Sequence, residues 1–310
     1  MRQRLLALTT LVATLVLAGG VAVAGVGGFD VGRFVEEALR SKSMRLYGLN
    51  GPLPRSSTRS ITAEEANADP RRLATLARSL EARVVTHGVG PAVLDMSALW
   101  PSDRDPKWLI TCNESGTTDP GLVRVNIATG AVETILTGTT ACDPAHRTPW
   151  GTILFAEEAG GGPNGGRIYE LIDPLNTTNV TLDRTTGTFS GGTGASNFAI
   201  RTAIGRLSYE GFAIYPNGVV YFGDEQRPLN GVTGGAYYKF IPATLRDPDA
   251  GPIAELADSP LAAGSVYGLR LGRRSGAPTT ARAPRTGWVA GSRSRRPPTR
   301  TCAPRRRRCG

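Results

Sequence analysis

The sequence predicts an all-β fold of the β-propeller type, and three observations support this. From about Val93 onward, short runs of β-branched and aromatic residues alternate with Gly, Pro, Asn, Asp and Thr. No helix-length segment lies between these runs to cover a parallel sheet. Two pairs of runs are joined by tight-turn sequences, with Gly130 in one turn and Asn217-Gly218 in the other.

Nine segments carry the strand pattern, and we expect them to form a partial propeller over residues 92–271. They are AVLDMSALW, KWLITCNE, GLVRVNI, AVETILTG, GTILFAEE, GRIYELIDP, NVTLDRTT, GFAIYPNGVVYFGDE and GGAYYKFIP. A propeller blade needs four strands, so these segments fill only two to three blades. The predicted propeller is therefore incomplete.

The N-terminal region contains a predicted export signal followed by a small helical region. Residues 1–24 combine a basic start, an apolar run and a small-residue cleavage site, as in a secretory signal peptide. An uncleaved anchor is the alternative, and no other segment is apolar enough to cross a bilayer. Residues 25–91 are predicted as a helical and extended decoration. One helix is expected over Val31–Lys42, a capping box at Thr62 and Glu65, and a second helix from Asp69-Pro70 onward.

The positive charge is concentrated at the C-terminus. The segment from Arg270 to Gly310 holds 13 Arg and no acidic residue, so the preceding 269 residues carry 23 basic and 26 acidic side chains, a net charge of −3. Residues 272–310 are predicted to be disordered, because they have little to bury and many like charges. Their Arg, Pro, Gly, Ser and Ala bias is what translation of a GC-rich gene in the wrong reading frame produces. The alternative is that the segment anchors the protein to a polyanion by charge. We expect no specific nucleic-acid partner.

Two cysteines outside the tail leave two interpretations open. Cys112 and Cys142 each lie near the end of a predicted strand. In an exported protein they are candidates for a disulfide bond, while Cys142 is also a candidate thiolate ligand for a metal.

Acidic residues gather at the ends of the predicted strands. Glu158 ends the segment CDPAHRTPWGTILFAEE, which begins at Cys142, and Glu210 follows in GRLSYEG. Asp224 and Glu225 end VVYFGDE. Carboxylate oxygens suit calcium and a thiolate suits iron or zinc, so these residues are candidate metal ligands. For Glu157 a solvated position beside Glu158 is the simpler interpretation.

The motifs TPWGTILFAEE, GRLSYEGFAIY, VVYFGDE and GGAYYKFIP resemble, in order and approximate spacing, the PhoX-type secreted alkaline phosphatases and their uncharacterised actinobacterial relatives. The resemblance covers about Trp108 to Arg270. It implies a β-propeller that binds iron and calcium and hydrolyses phosphomonoesters outside the cytoplasm. It would make Cys142 the iron thiolate, Glu158 and Glu210 metal carboxylates, and Asp224 or Glu225 a further acidic ligand. The resemblance ends near Leu271, so the chain looks truncated relative to the family.

Two functions follow as hypotheses. The first is a secreted, monomeric, metal-dependent phosphomonoesterase, or an inactive truncated relative of one. The second is a non-catalytic extracellular propeller that binds calcium or a partner surface. The sequence lacks a zinc-hydrolase histidine spacing, a GxSxG motif and a P-loop, and His87 and His146 are predicted to be loop residues.

Overall fold

The computed structural model describes residues 30–52, 54, 58–88, 90–91, 93–161, 163–228, 234–270 and 287–290. The predicted signal peptide, and the predicted disordered tail apart from residues 287–290, lie outside the described residues. The chain divides into two compact units, residues 1–84 and 85–310.

Within its described residues, the first unit contains two α-helices, α1 (Val31–Tyr47) and α2 (Ala63–Ala68). Helix α1 is capped at its N-terminus by Asp30, whose side chain accepts a hydrogen bond from the Arg33 amide. It is capped at its C-terminus by Gly48, which has a left-handed backbone conformation. It runs five residues beyond the predicted Lys42. The capping box of Thr62 and Glu65 at the start of α2 is confirmed.

The predicted helix after Asp69 is wrong. Asp69 caps only a short 3-10 helix, Pro70–Leu73, and the chain is extended at Ala74. Leu73, Leu76 and Leu80, which carried the helical pattern, are exposed. A short helix gains most of its stability from packing an apolar face, so the local signals alone do not sustain this one.

The second unit is built from fifteen described strands in three sheets, which confirms the all-β prediction. The strands are β1 (Leu94–Trp100), β2 (Trp108–Asn113), β3 (Pro120–Asn126), β4 (Val132–Thr137), β5 (Cys142–Arg147), β6 (Ile153–Glu157), β7 (Ile168–Leu171), β8 (Val180–Asp183), β9 (Thr188–Ser190), β10 (Phe198–Ile200), β11 (Tyr209–Ile214), β12 (Val220–Asp224), β13 (Tyr237–Pro242), β14 (Gly264–Arg270) and β15 (Gly287–Ala290).

The strand orders are β1-β2-β3-β4-β8-β9 in the first sheet, β10-β7-β6-β5 in the second and β11-β12-β13-β14-β15 in the third. Within the described strands every pairing is antiparallel except β4 with β8. All nine predicted segments contain strands, and the predicted turns at Gly130 and Asn217-Gly218 join β3 to β4 and β11 to β12.

Five strands were not predicted: β5, β9, β10, β14 and β15. Strand β15 lies inside the predicted disordered tail and pairs with β14, so the expectation of disorder fails for these four residues. Strand β5 has the sequence CDPAHR, which lacks the alternation of a strand. It forms because β6 offers it a pairing edge, with a bulge between Cys142 and Ala145.

The second sheet lies between the other two, as shown by its central strands β6 and β7, which are buried on both faces. Along β6, Ile153 and Phe155 belong to the core shared with the first sheet, while Leu154 and Ala156 belong to the core shared with the third. This alternation places successive residues of β6 in different environments. Across the described ranges, no helix is long and apolar enough to span a membrane.

Candidate cation-binding site

Strand β5 carries the residue at the centre of the candidate site, Asp143. Its side chain is almost fully buried, with 3% exposed, and its Oδ2 atom has no hydrogen-bonding partner among the described residues. Strand β5 packs against β1 and β11, which bring Asp95 and Glu210 against Asp143. Three carboxyl groups from three distant segments therefore converge.

The electrostatics of Asp143 follow from this packing. Burial, followed by the hydrogen-bonding and charge interactions with Glu210 and then Asp95, raises the pKa of Asp143 to about 9. In the absence of a cation the Asp143 carboxyl therefore carries a proton at neutral pH. None of Asp95, Asp143 and Glu210 forms a salt bridge with another described residue.

A second pair of carboxyl groups, Glu158 and Glu225, is brought together by Ser208. Glu158 forms a β-bridge with Ser208, and the Ser208 carbonyl accepts a hydrogen bond from the Glu225 amide at 2.9 Å. The hydrogen bond with Glu225, together with burial, raises the pKa of Glu158 to about 7. The pKa of Glu225 is lowered by the same hydrogen bond and by Arg227, whose Nη2 lies 2.9 Å from Glu225 Oε1.

The two groups of carboxylates form one negative region, which we call the carboxylate cluster. Glu210 and Glu114 both contribute to the raised pKa of Glu158. The members of the cluster are Asp95, Glu114, Asp143, Glu158, Glu210 and Glu225. Over the described part of the chain, no three His, Cys, Asp or Glu side chains are already arranged to hold a metal ion. The carboxyl groups instead interact mainly with one another.

Asp224 has a structural role in the described conformation. Its Oδ1 atom accepts hydrogen bonds from the Ser208 amide at 3.2 Å and the Gln226 amide at 3.1 Å. These bonds hold the segment before β11 against the end of β12, which positions Glu210 and Glu225. Its role as a metal ligand stays a prediction.

Cys142 does not have the geometry of an iron ligand, because its sulfur is bonded to that of Cys112. The bond joins β5 to β2, and both residues are fully buried. The disulfide alternative drawn from the sequence is thus the one that the structure contains. A sulfur in a disulfide is not a thiolate, so an iron site at Cys142 requires the reduced form.

The solvated interpretation of Glu157 is wrong. Glu157 is fully buried, and its Oε1 atom lies 2.9 Å from Arg184 Nε. It points to the opposite face of β6 from Glu158, because successive side chains of a strand alternate. Adjacent glutamates therefore occupy separate environments.

His146 is not a loop residue, as the sequence suggested, but part of β5. Its Nε2 atom accepts a hydrogen bond from the Phe212 amide at 3.4 Å, and its ring contacts the Phe212 ring edge-on. Burial lowers the pKa of His146, so its imidazole is neutral at physiological pH and adds no positive charge beside the cluster.

The sequence-predicted site residues Glu158, Glu210 and Glu225 lie in the carboxylate cluster. Asp95, Glu114 and Asp143 were missed. The position of Asp143 directly after the predicted metal ligand Cys142 was the one sequence signal that could have identified it. No local pattern identifies Asp95 or Glu114, because they join the cluster only through the packing of β1 and β2.

The chain matches no protein-family model and no curated protein sequence. Among solved structures it is similar to Pseudomonas fluorescens PhoX in complex with vanadate, a transition state analogue, with a TM-score of 0.38 and 15% sequence identity. The match covers 61% of this chain and 47% of PhoX, so the chain spans about half the length of that relative.

Proposed function

We propose that the carboxylate cluster binds a hard divalent cation, and that the protein is an extracytoplasmic metal-dependent phosphomonoesterase of incomplete propeller architecture. The observation that carries the cation site is the buried Oδ2 atom of Asp143, which accepts no hydrogen bond from a described residue and belongs to a side chain that interacts with Glu210 and Asp95. A buried acceptor surrounded by like charges is costly unless a proton or a cation neutralises it.

Calcium fits the donor set best, since every member of the cluster offers carboxylate oxygens. Asp143, Glu210 and Asp95 would hold one ion, while Glu158 and Glu225 offer a second position on the same surface. Iron at Cys142 does not fit the disulfide-bonded form. We therefore retain calcium as the cofactor and restrict the iron prediction to the reduced protein.

The phosphatase activity is supported by the sequence motifs that surround these residues. A bound cation would neutralise and polarise a phosphate group. The chain's own contribution is to fix the carboxylates: β5 presents Asp143, Ser208 joins Glu158 to Glu225, and Asp224 anchors the Ser208 segment. Arg227, held by Glu225, adds a positive side chain at the edge of the cluster.

The signal-like N-terminus and the disulfide bond support an extracytoplasmic location, because disulfides persist in oxidising compartments. We propose a monomer acting on small phosphomonoesters. The three stacked sheets of the second unit would correspond to adjacent blades of the incomplete propeller.

Two measurements on the full chain test this proposal: calcium binding by titration calorimetry, and hydrolysis of p-nitrophenyl phosphate with and without calcium. The D143N variant should lose calcium binding and any calcium-dependent hydrolysis. The D105N variant, which removes an exposed carboxylate paired with Lys107, should retain both. Calcium binding unchanged in D143N would refute the site, and hydrolysis equal in calcium and in chelator would refute the metal dependence.

The disulfide favours a second candidate, a non-catalytic extracellular calcium-binding protein. With Cys142 bonded to Cys112, the redox-metal part of the resemblance is missing and a purely carboxylate site remains. This candidate predicts calcium binding that D143N abolishes, without hydrolysis of the phosphate ester under either condition.

A further inference from the structure

A second charged group lies on the face of β6 opposite to Glu158. It consists of Glu157, Arg167, Tyr169 and Arg184, and we call it the arginine cluster. The Tyr169 hydroxyl interacts electrostatically with Glu157, Arg167 and Arg184, which places all four side chains together beneath the strand. The cluster therefore contains two guanidinium groups and one carboxylate.

Both oxygens of the Glu157 carboxylate already accept two hydrogen bonds each. Glu157 Oε1 accepts hydrogen bonds from the Thr140 amide at 3.0 Å and from Arg184 Nε at 2.9 Å. Glu157 Oε2 accepts from the Arg167 amide at 3.0 Å and from Arg184 Nη2 at 3.2 Å. Glu157 is thus the ion-pair partner of Arg184, and it meets Arg167 only through the backbone.

The Arg167 side chain has no counterion among the described residues. Arg167 is 8% exposed, forms no salt bridge with the described part of the chain, and its buried Nη1 atom has no hydrogen-bonding partner there. The hydroxyl of Tyr169, which is fully buried, lies close enough to Arg167 and Glu157 to interact with both, but it forms no hydrogen bond of normal geometry within the described ranges. Burial of an unpaired guanidinium is strongly unfavourable, so two unsatisfied donors at one place indicate a missing acceptor.

We infer that the arginine cluster binds a small oxyanion, phosphate being the probe of choice, between the Arg167 guanidinium and the Tyr169 hydroxyl. The planar guanidinium donates pairs of hydrogen bonds that match the oxygens of such an anion. Arg184 adds a second positive charge, so that one positive charge of the cluster remains to be neutralised after Glu157. Arg184 is partly exposed and bonds to the Asn164 carbonyl, which connects the cluster to the surface.

This inference does not depend on the proposed function. The arginine cluster contains no predicted metal ligand and lies across the sheet from the carboxylate cluster. Phosphate binding here is therefore expected in the presence of a chelator, under conditions in which the carboxylate cluster holds no cation.

The first experiment is a thermal unfolding titration of the full chain in EDTA, with phosphate compared with chloride at equal ionic strength. A ligand that binds only the native state raises the unfolding midpoint with its concentration. We expect phosphate to raise the midpoint and chloride to leave it unchanged. An identical response to both salts overturns the inference, and the unsatisfied donors then bind a buried water molecule.

Two variants locate the binding. R167M keeps the bulk of the side chain without its charge, and R104M removes an exposed arginine from the same unit as a matched control. R167M should weaken phosphate binding by about ten- to a hundredfold, the range for loss of hydrogen bonds to a charged group. R104M should retain the wild-type affinity.

The response in phosphate-free buffer separates a binding role from a structural one. If Arg167 is an unpaired buried charge, R167M should unfold at the same or a higher temperature than the wild type. If R167M unfolds at a lower temperature regardless of phosphate, Arg167 is a structural residue and the inference fails. The milder Y169F variant keeps the ring packing and should show a smaller rise of the unfolding midpoint with phosphate than the wild type. If R167M does not fold, the comparison of Y169F with the wild type tests the inference, and an equal rise in both overturns it.

Discussion

Glu157 on β6 holds the guanidinium of Arg184 in a buried ion pair, with 2.9 Å between Oε1 and Nε. The pair fastens the segment after β8 to the second sheet, from a position directly beside the candidate cation site. The pair is sensitive to the loss of either partner, because Glu157 is fully buried and Arg184 is only partly exposed, so water solvates the remaining charge poorly.

The E157Q variant should lower the free energy of unfolding by about 3 to 5 kcal/mol, since it leaves Arg184 without a counterion and disturbs four hydrogen bonds. Chemical denaturation followed by tryptophan fluorescence measures the change. D105N, at an exposed ion pair, should leave the denaturation midpoint unchanged. A midpoint for E157Q equal to that of D105N would contradict the interpretation.

Cation-free protein should lose stability as the pH rises from about 4 towards 9. The pKa of Asp143 in the folded protein is about 9, above its ordinary value of 3.8, so over this interval the folded state retains a proton that the unfolded state has lost. Unfolding then becomes easier with each increment of pH. The raised pKa of Glu158, about 7, acts in the same direction.

Unfolding midpoints in EDTA across this pH range test that prediction. D143N should flatten the dependence, because its amide does not titrate. Saturating calcium should also flatten it, by replacing the proton with a cation. A midpoint in EDTA that rises with pH would exclude the raised pKa values.

Thiol labelling should detect the disulfide between Cys112 and Cys142, because neither sulfur reacts as a thiol until the bond is reduced. In a C302S/C309S background, unfolded and unreduced protein should react with no thiol reagent, and reduction should expose two thiols. Replacing Cys112 with Ser should cost about 3 kcal/mol, because the bond closes a loop with a sequence separation of 30. Two free thiols before reduction would restore Cys142 as a candidate thiolate ligand.

Gly166 should not tolerate a side chain. A Cβ atom there would lie 2.2 Å from the carbonyl oxygens of Glu157 and Leu207, so G166A must push apart the backbone segments that lead to Glu158 and Ser208. We expect a lower melting temperature and weaker calcium binding. G251A, whose Cβ meets nothing within 4 Å, is the matched control. Equal melting temperatures and equal calcium affinities for the two variants would contradict the prediction, because they would show that the backbone around Gly166 accommodates a Cβ atom.

The strands that the sequence identified are those whose information is local. Ile153 to Glu157 and Val220 to Asp224 contain the strand-forming residues themselves, and the turn at Asn217-Gly218 requires a left-handed residue that Gly218 supplies. The capping box at Thr62 is local in the same sense. The helix expected after Asp69 shows the limit of such signals, because its caps and spacing were present but its leucines remain exposed.

By itself the sequence determined the β class, most of the strands and the acidic character of the strand ends, since each of these depends on residues a few positions apart. The tertiary structure alone decided that Cys142 is bonded to Cys112, that Glu157 and Glu158 belong to opposite faces, and that Asp143 meets Asp95 and Glu210. Those outcomes depend on which sheets stack and on the pairing of β5, a segment with no strand pattern of its own. The physical reason is that charge interactions and cross-links form between segments far apart in the chain, whereas sequence patterns report only the preferences of neighbouring residues.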